Sequence, residues 1–280
     1  MARKPAAGKT GTAVANLDEE LAALAAQATE SEATGGGAAG RFFSLRAGVL
    51  SYEDTPLPGN QMAVIILDSI FETTYYEGAF DPDNRQPPTA FAFGRDQKTM
   101  TWNEEYSDPE YAGKLCSESD VCQWGSAAQG KGKAAKEIRR LAVIPAGTYK
   151  PLGRNGGFEL ELIDDEDHFA AADMAFLKVP VMSVKGFSGY LNQIAEQFNK
   201  PLFAMYTRVY LTPDAKSQFR VNFELIEPVD PALLPILMKR HKDAASVIDF
   251  PYLPFTDDDD KGDKGAAKKS APNKKLTRKR

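Results

Sequence analysis

The sequence predicts a mainly β protein of the β-rich α+β class, a small barrel or sandwich with a long irregular insertion and disordered tails. Short runs of β-branched and aromatic residues are separated by turn residues such as Pro, Gly, Asn and Asp. Only a few stretches carry the 3.6-residue periodicity of a helix. Many short strands with turn signals between them are typical of a small barrel or sandwich.

The first element is a leader over residues 1–40 of the 280-residue chain. Leu17, Leu21 and Leu24 recur at the spacing of a short amphipathic helix. Acidic residues 18–20 would occupy its first turn, where the helix dipole favours negative charge. A run of three glycines then predicts a flexible link to the rest of the chain.

We interpret residues 41–255 as a single β-rich domain. An apolar and aromatic run from Met62 to Tyr76 favours a buried strand. The stretch of about 95–137 is rich in Gly, Ser and charge, which predicts an insertion with a purpose of its own. Short strands follow it, and helices are predicted over 188–198 and from 231 to about 247.

Residues 203–226 give the clearest hairpin, with turn residues over 212–216. Apolar side chains alternate with polar or aromatic ones on both strands, so one face is apolar. The other face presents Tyr206, Arg208, Tyr210, Arg220 and Asn222. Bases stack on tyrosine rings and cations follow the phosphates, so this face is a candidate nucleic-acid surface. The alternative is that Tyr206 and Tyr210 pack under another loop.

The tail over residues 256–280 is charged and is predicted to be disordered. Asp257–Asp260 are acidic, whereas the last residues, Lys274–Arg280, are mostly basic. Such a mixed tail could shield a binding groove, bind DNA itself or contact replication or recombination proteins. The sequence does not choose between these roles.

Composition and motifs exclude several classes of protein. No run approaches the roughly 18 apolar residues of a membrane helix, so we expect no membrane association. The start of the chain lacks the apolar segment of a secretory signal, which favours a cytoplasmic protein. A phosphate-binding loop, a dinucleotide fingerprint and a nucleophile elbow are all missing. We therefore predict no catalytic residue, no cofactor and no enzymatic activity.

Charge is uneven along the chain, whose formal net value is -5. One basic segment interrupts the acidic body. From residue 127 to 154 it contains a single acid, Glu137, and seven bases: Lys131, Lys133, Lys136, Arg139, Arg140, Lys150 and Arg154. A cationic segment on an acidic body is a candidate contact for a polyanion, although an ordinary solvated loop has the same composition.

The acidic run from Asp164 to Asp167, followed by His168, is the one candidate for a metal site. A metal-dependent nuclease needs carboxylates that converge from several elements, whereas consecutive acids most often form a solvated loop. Cys116 and Cys122 are spaced more widely than the ligands of a zinc knuckle. We therefore predict no metal ion.

A series of motifs carries a family resemblance. In chain order they are Thr74-Tyr75-Tyr76-Glu77-Gly78-Ala79-Phe80-Asp81-Pro82-Asp83-Asn84, Pro87-Pro88, Cys116, Cys122, Trp124-Gly125-Ser126, Gly130-Lys131-Gly132-Lys133 and Arg139-Arg140-Leu141-Ala142. This pattern resembles a family of phage-encoded single-stranded DNA-binding proteins over about residues 70–145, with weaker agreement to about 255.

The resemblance implies an OB-like barrel that holds single strands without reading their sequence. It also implies a cysteine-containing insertion that is partly lost in this chain. Relatives carry four cysteines in this region, which implies a small zinc site. Two of them align with Cys116 and Cys122, while the other two fall near Ala90 and Ala134, which are alanine here. With half of the ligands replaced, we expect Trp102 and Trp124 to hold the insertion by packing.

The leading hypothesis is a single-stranded DNA-binding protein of phage DNA replication or recombination. Its expected site combines the basic segment with the hairpin face: Lys131, Lys133, Lys136, Arg139, Arg140, Tyr206, Arg208, Tyr210, Arg220 and Trp124. One alternative is a nuclease that uses the acidic run at 164–167. A second is a scaffold protein that binds no nucleic acid.

Overall fold

The structure is a computed structural model of the chain. It describes residues 41–52, 55–78, 86–128, 130–153 and 156–252. The predicted leader with its helix and the predicted tail lie outside the described residues, so both stay predictions. None of the helices in the described part is long and apolar enough to cross a membrane.

Ten strands and three α-helices make up the described part of the chain. The strands are β1 Arg41–Ser44, β2 Ser51–Tyr52, β3 Thr55–Pro56, β4 Gln61–Tyr75, β5 Ala90–Gly94, β6 Lys136–Pro151, β7 Phe158–Leu162, β8 Ala175–Val179, β9 Met205–Asp214 and β10 Gln218–Pro228. The α-helices are α1 Glu166–Ala171, α2 Val181–Phe198 and α3 Leu234–Val247. Short 3-10 helices cover Arg46–Gly48, Pro58–Asn60, Cys116–Glu118, Asp120–Cys122, Leu202–Ala204 and Pro231–Leu233.

The strands form one large mixed sheet in the order β10-β9-β4-β6-β8-β1-β2-β3, with β5 added to β4 and β7 added to β6. Only the β1–β8 pair is parallel among the described ladders. The prediction of a strand-rich domain is confirmed. Closure into an OB-like barrel is not confirmed, because no ladder joins β10 to β3 among the described strands.

The two long central strands explain the open shape. The first part of β4 pairs with β9, whereas its last part, Phe71–Tyr75, pairs with β5. One edge of β6 pairs with β4. The other edge of β6 pairs with β8 near the start of the strand and with β7 near its end. Each long strand therefore changes its neighbour along its length, and the sheet branches at both ends.

Both faces of the sheet are covered by helices, so the domain has three layers. One face packs against α2, and we call it the α2 face; its buried core includes Val64, Ile66, Leu141 and Phe187. The opposite face packs against α1 and α3, and we call it the α3 face. Its core contains Ile65, Ala142, Ile144, Phe169, Tyr206 and Leu237. Successive residues of β4 and β6 alternate between the two cores, as the pleat of a strand requires.

The two longer helices follow the predicted periodicity, with one difference in length, whereas α1 was not predicted. Phe187, Tyr190 and Ile194 form the buried stripe of α2, which starts seven residues before the predicted 188. The helix stops at Asn199, which adopts a left-handed conformation with φ 49°. The predicted helix from 231 to about 247 is confirmed as a 3-10 turn followed by α3.

The predicted insertion folds around a small core of its own. Trp102 is fully buried there, and its indole nitrogen donates a hydrogen bond to Ser119 Oγ over 2.7 Å. The side chains around it are Ala90, Ala92, Met100, Cys116, Cys122 and Ala135. Trp102 thus packs as expected, but Trp124 does not, since its side chain is 80% exposed.

Burial makes both cysteine thiols poor nucleophiles. It raises the pKa of Cys116 to about 12 and that of Cys122 to about 11, from an ordinary value of 9.0. Because the thiolate is the reactive form, we expect almost no reaction with Ellman's reagent at pH 8 in the folded protein. Both thiols should react fully in guanidinium chloride. Native thiols that react as fast as free cysteine would contradict the buried placement.

Candidate nucleic-acid interface

The structure divides the ten predicted site residues among three environments. One set lies on or beside the loop before β6: Trp124, Lys131, Lys133, Lys136 and Arg139. A second set lies on the β9–β10 hairpin: Arg208, Tyr210 and Arg220. Two residues, Arg140 and Tyr206, are buried in the interior, at 0% and 3% exposure.

The segment from Trp124 to Lys136, called the Trp124 loop below, has a fixed base. Ser126 Oγ donates to a backbone carbonyl and accepts a hydrogen bond from the Ala134 amide over 2.9 Å. The Gly125 amide donates to Gly132 O over 2.9 Å. Gly125 has a φ of 91°, which an L side chain rarely adopts. These bonds hold the loop so that the indole ring projects into solvent.

The Trp124 loop carries cations that the described residues leave largely unneutralised. Lys133 Nζ lies 2.6 Å from Glu137 Oε1 and 5.8 Å from the centre of the Trp124 ring. Lys131 and Lys136 are exposed and form no ion pair with any residue that the structure describes. An exposed indole therefore lies within cation–π distance of Lys133, on a loop that also carries Lys131 and Lys136.

Arg139 lies at the same end of β6 as Lys136, but its side chain is half-buried. Its guanidinium carbon lies 3.4 Å from the centre of the Phe71 ring, a close cation–π contact. Its Nε is buried without a hydrogen-bond partner among the described residues, and burial lowers the pKa of the group. Arg139 therefore adds positive charge next to the Trp124 loop, although its side chain packs against Phe71.

The hairpin face was predicted correctly for three residues, but its cations are already paired. Arg208 donates through Nε and Nη2 to Gln61 Oε1 and through Nη1 to Glu224, and it packs over the Tyr210 ring at 4.5 Å. Arg220 Nε donates to Asp214 Oδ2 over 2.5 Å. Because each guanidinium bonds a carboxylate, this face offers little net positive charge.

The placement of Tyr206 on an exposed face was wrong. It shares the α3 face with Arg208, as alternation requires, but α1 covers that end of the strand. Tyr206 is buried against Phe169, and its hydroxyl donates to Ile163 O over 2.9 Å. Burial, together with nearby carboxylates such as Asp164, raises its pKa to about 12. The side chain is part of the core.

The assignment of Arg140 to a DNA surface was also wrong. Its side chain is completely buried, and Nε donates to Glu72 Oε2 over 2.6 Å. The guanidinium lies between the rings of Phe93 and Phe250, at 4.2 and 4.3 Å from their centres. Sequence reasoning missed Glu72 altogether, because an acid within an apolar run gives no sign of its distant partner.

The two exposed sets do not form one surface. Arg139 alternates with Leu141 on the α2 side of β6, whereas Arg208 lies on the α3 face. They are also at opposite ends of β4, since Lys136 pairs with Thr74 and Arg208 with Ala63. At about 3.3 Å per residue, that part of β4 spans roughly 36 Å. The Trp124 loop is therefore the candidate interface, and the hairpin face is separate from it.

The acidic run at 164–167 has a structural use at the start of α1. Asp165 is the N-cap, and its Oδ1 accepts the Asp167 amide over 3.0 Å. Glu166 and Asp167 occupy the first turn, where the helix dipole favours negative charge. Among the described residues, no group of three or more His, Cys, Asp or Glu is placed to hold a metal ion.

Replacing Asp165 with alanine should cost about 1 kcal/mol of unfolding free energy, because α1 loses its capping acceptor. Urea denaturation followed by circular dichroism measures the change. Asp164→Ala is the matched control and should have a smaller effect. Equal effects of the two substitutions would show that the cap is not what stabilises this turn.

Comparisons of the chain with protein-family models, curated proteins and solved structures give no significant match. The function must therefore be argued from the side chains themselves.

Proposed function

We propose that this protein binds single-stranded DNA without sequence specificity through the Trp124 loop. The observation that carries the proposal is the indole of Trp124, which is 80% exposed on a loop with a fixed base. The other tryptophan, Trp102, is fully buried. A large ring left in water is well placed to stack on a base, and base–aromatic stacking contributes about 1–3 kcal/mol per base.

The charges of the loop support the same reading. Lys131, Lys133 and Lys136 can follow a phosphate backbone, while the acidic body of the protein repels it. A duplex keeps its bases stacked on one another, so only a single strand offers a base to the indole. The loop should therefore prefer single strands to duplex.

The proposal does not depend on a closed barrel, because the Trp124 loop joins the ladders of the sheet only at Lys136, the first residue of β6. A role in phage DNA replication or recombination, and recruitment of such proteins by the charged tail, follow from the resemblance alone. Both roles are part of the proposal, and the fold gives no support for either.

Fluorescence anisotropy of a labelled oligo-dT of about thirty bases, compared with a matched duplex, tests the proposal. If the three lysines each neutralise one phosphate, log affinity should fall with log salt at a slope of about -2. Changing all three lysines to glutamine should abolish most of this slope. Lys150→Gln, at the far end of β6, is the control and should leave it unchanged. Equal affinity for strand and duplex, or no binding at low salt, would overturn the proposal.

A further inference from the structure

A groove of about 620 Å³ lies between the first turns of α2 and the edge strand β10. The side chains and backbone that line it are Val181, Met182, Ser183, Lys185, Gly186, Arg220, Val221 and Asn222. Val181 and Met182 are 48% and 47% exposed, although they open a helix whose other large apolar side chains are mostly buried or half-buried. The groove is therefore an apolar surface that no described residue covers.

The helix side of this groove is positive. Lys185 is exposed and has no ion-pair partner among the described residues. On the strand side Arg220 is paired with Asp214 and adds little net charge. The first turn of α2 contains no acidic side chain and receives no side-chain cap, so its free amides add positive potential. A complementary occupant has apolar side chains beside carboxylates.

We propose that the leader segment around Leu17–Leu24 of the same chain, which the sequence predicts to form a short amphipathic helix, docks in this groove. Leu17, Leu21 and Leu24 would supply the apolar stripe that meets Val181 and Met182. The acidic residues 18–20 would lie toward Lys185 and the start of α2. The match combines apolar area and opposite charge, which is how amphipathic helices recognise grooves.

The length of the connecting chain favours docking within one molecule. Arg41 pairs with Ala175 at the start of β8, and the six residues from there to Val181 span at most about 20 Å. The roughly 17 residues between Leu24 and Arg41 include the glycine run. A flexible chain of that length has a root-mean-square extent of about 23 Å. A linker that matches the span gives a millimolar effective concentration, so weak contacts suffice.

Hydrogen exchange of the full chain tests the docking. In Gly186→Leu the new side chain fills the groove, and a Cβ at position 186 meets no atom within 4 Å, so the helix tolerates it. We expect the amides of about residues 18–26 to exchange at least about tenfold faster in Gly186→Leu and in Lys185→Glu than in the unaltered protein. Gln193→Leu, on an exposed part of α2 beyond the groove, is the control and should match the unaltered protein.

Three results would overturn the proposal. The leader amides could exchange equally fast in all variants, which would mean that the helix does not dock. Their protection could fall on dilution, which would assign the groove to a second copy of the chain. The substitutions could instead expose the amides of residues 253–260, which would make the acidic tail the occupant. Thermal denaturation of each variant confirms that it is folded before exchange is compared.

Discussion

Replacing Arg140 with methionine is expected to lower the free energy of unfolding by about 3 kcal/mol at pH 7, because the buried Glu72 carboxylate loses its guanidinium and keeps only Lys178, 3.3 Å away, and the Tyr252 hydroxyl as partners. Glu72 and Arg140 both have fully buried side chains. Arg140 Nη1 also donates to the carbonyls of Ile248 and Phe250, over 3.2 and 3.1 Å. The substitution therefore removes the ion pair and loosens the end of the described chain. Urea denaturation followed by circular dichroism measures the loss.

The pH dependence of this loss has a defined sign. Burial alone would raise the pKa of Glu72, but Arg140 and Lys178 outweigh it and hold the pKa below its ordinary value of 4.5. A carboxyl with a lowered pKa stabilises the fold above the pKa of its unfolded form, and this contribution is lost as the pH falls through the folded value. Without Arg140, burial of the Glu72 carboxyl destabilises the fold least when that carboxyl is protonated. The difference between variant and unaltered protein should therefore shrink from pH 7 towards pH 4.

Two further variants isolate the ion pair. Arg139→Met changes the neighbouring arginine, which stacks on Phe71 but has no carboxylate partner, and should cost only about 1 kcal/mol. Arg140→Met combined with Glu72→Met should recover part of the loss, because a buried pair can often be replaced by apolar side chains of similar volume, while Lys178 loses its carboxylate but is partly exposed to water. A loss that is equal at both arginines would contradict the account of the buried pair.

Trp124→Ala is expected to weaken binding of single-stranded DNA by about 5- to 150-fold, which corresponds to about 1–3 kcal/mol of stacking. The stability of the protein should hardly change, because the side chain is 80% exposed. Anisotropy titrations of labelled oligo-dT measure the affinity. Salt is held constant, since it changes the electrostatic contribution.

The hairpin provides the matched control for this prediction. Tyr210 is the aromatic residue of the rival surface and lies beside Arg208. Tyr210→Ala should leave the affinity within about twofold of the unaltered protein. The opposite pattern, in which Tyr210→Ala weakens binding and Trp124→Ala does not, would move the interface to the hairpin face.

Local sequence patterns predicted the elements whose cause is local. The β9–β10 hairpin follows from strict alternation, and α3 follows from its periodicity. Alternation also placed Arg208, Tyr210 and Arg220 on one face. It could not show that α1 covers one end of that face, because the covering helix comes from a different part of the chain. Tyr206 was misplaced for that reason alone.

The interior charges could not be predicted from the sequence, because their partners are distant along it. Arg140 and Glu72 are separated by 68 positions. In the sequence Arg140 continues a basic run, whereas in the structure strand pairing brings Glu72 beside it. One signal was available: Arg140 alternates with Ala142 and Ile144, which are core residues of the α3 face. A basic residue in phase with a buried stripe indicates an internal ion pair.

The two tryptophans show a similar limit. Both lie in the irregular insertion, where no periodicity distinguishes a buried ring from an exposed one. Trp102 is buried through contacts with β5 and both cysteines, which are tertiary features. Trp124 is followed directly by Gly125, whose positive φ belongs to a turn at the surface. That neighbouring glycine was the available indication of exposure.

The intrinsic tryptophan fluorescence of the full-length protein tests the central claim most directly. Oligo-dT should quench the emission of the exposed Trp124 as bases stack on its ring, while the buried Trp102 is shielded. In Trp124→Phe the remaining emission should stay constant throughout the titration, even where anisotropy shows residual binding. Quenching that persists in Trp124→Phe, or binding without quenching in the unaltered protein, would contradict the assignment of the interface to the Trp124 loop.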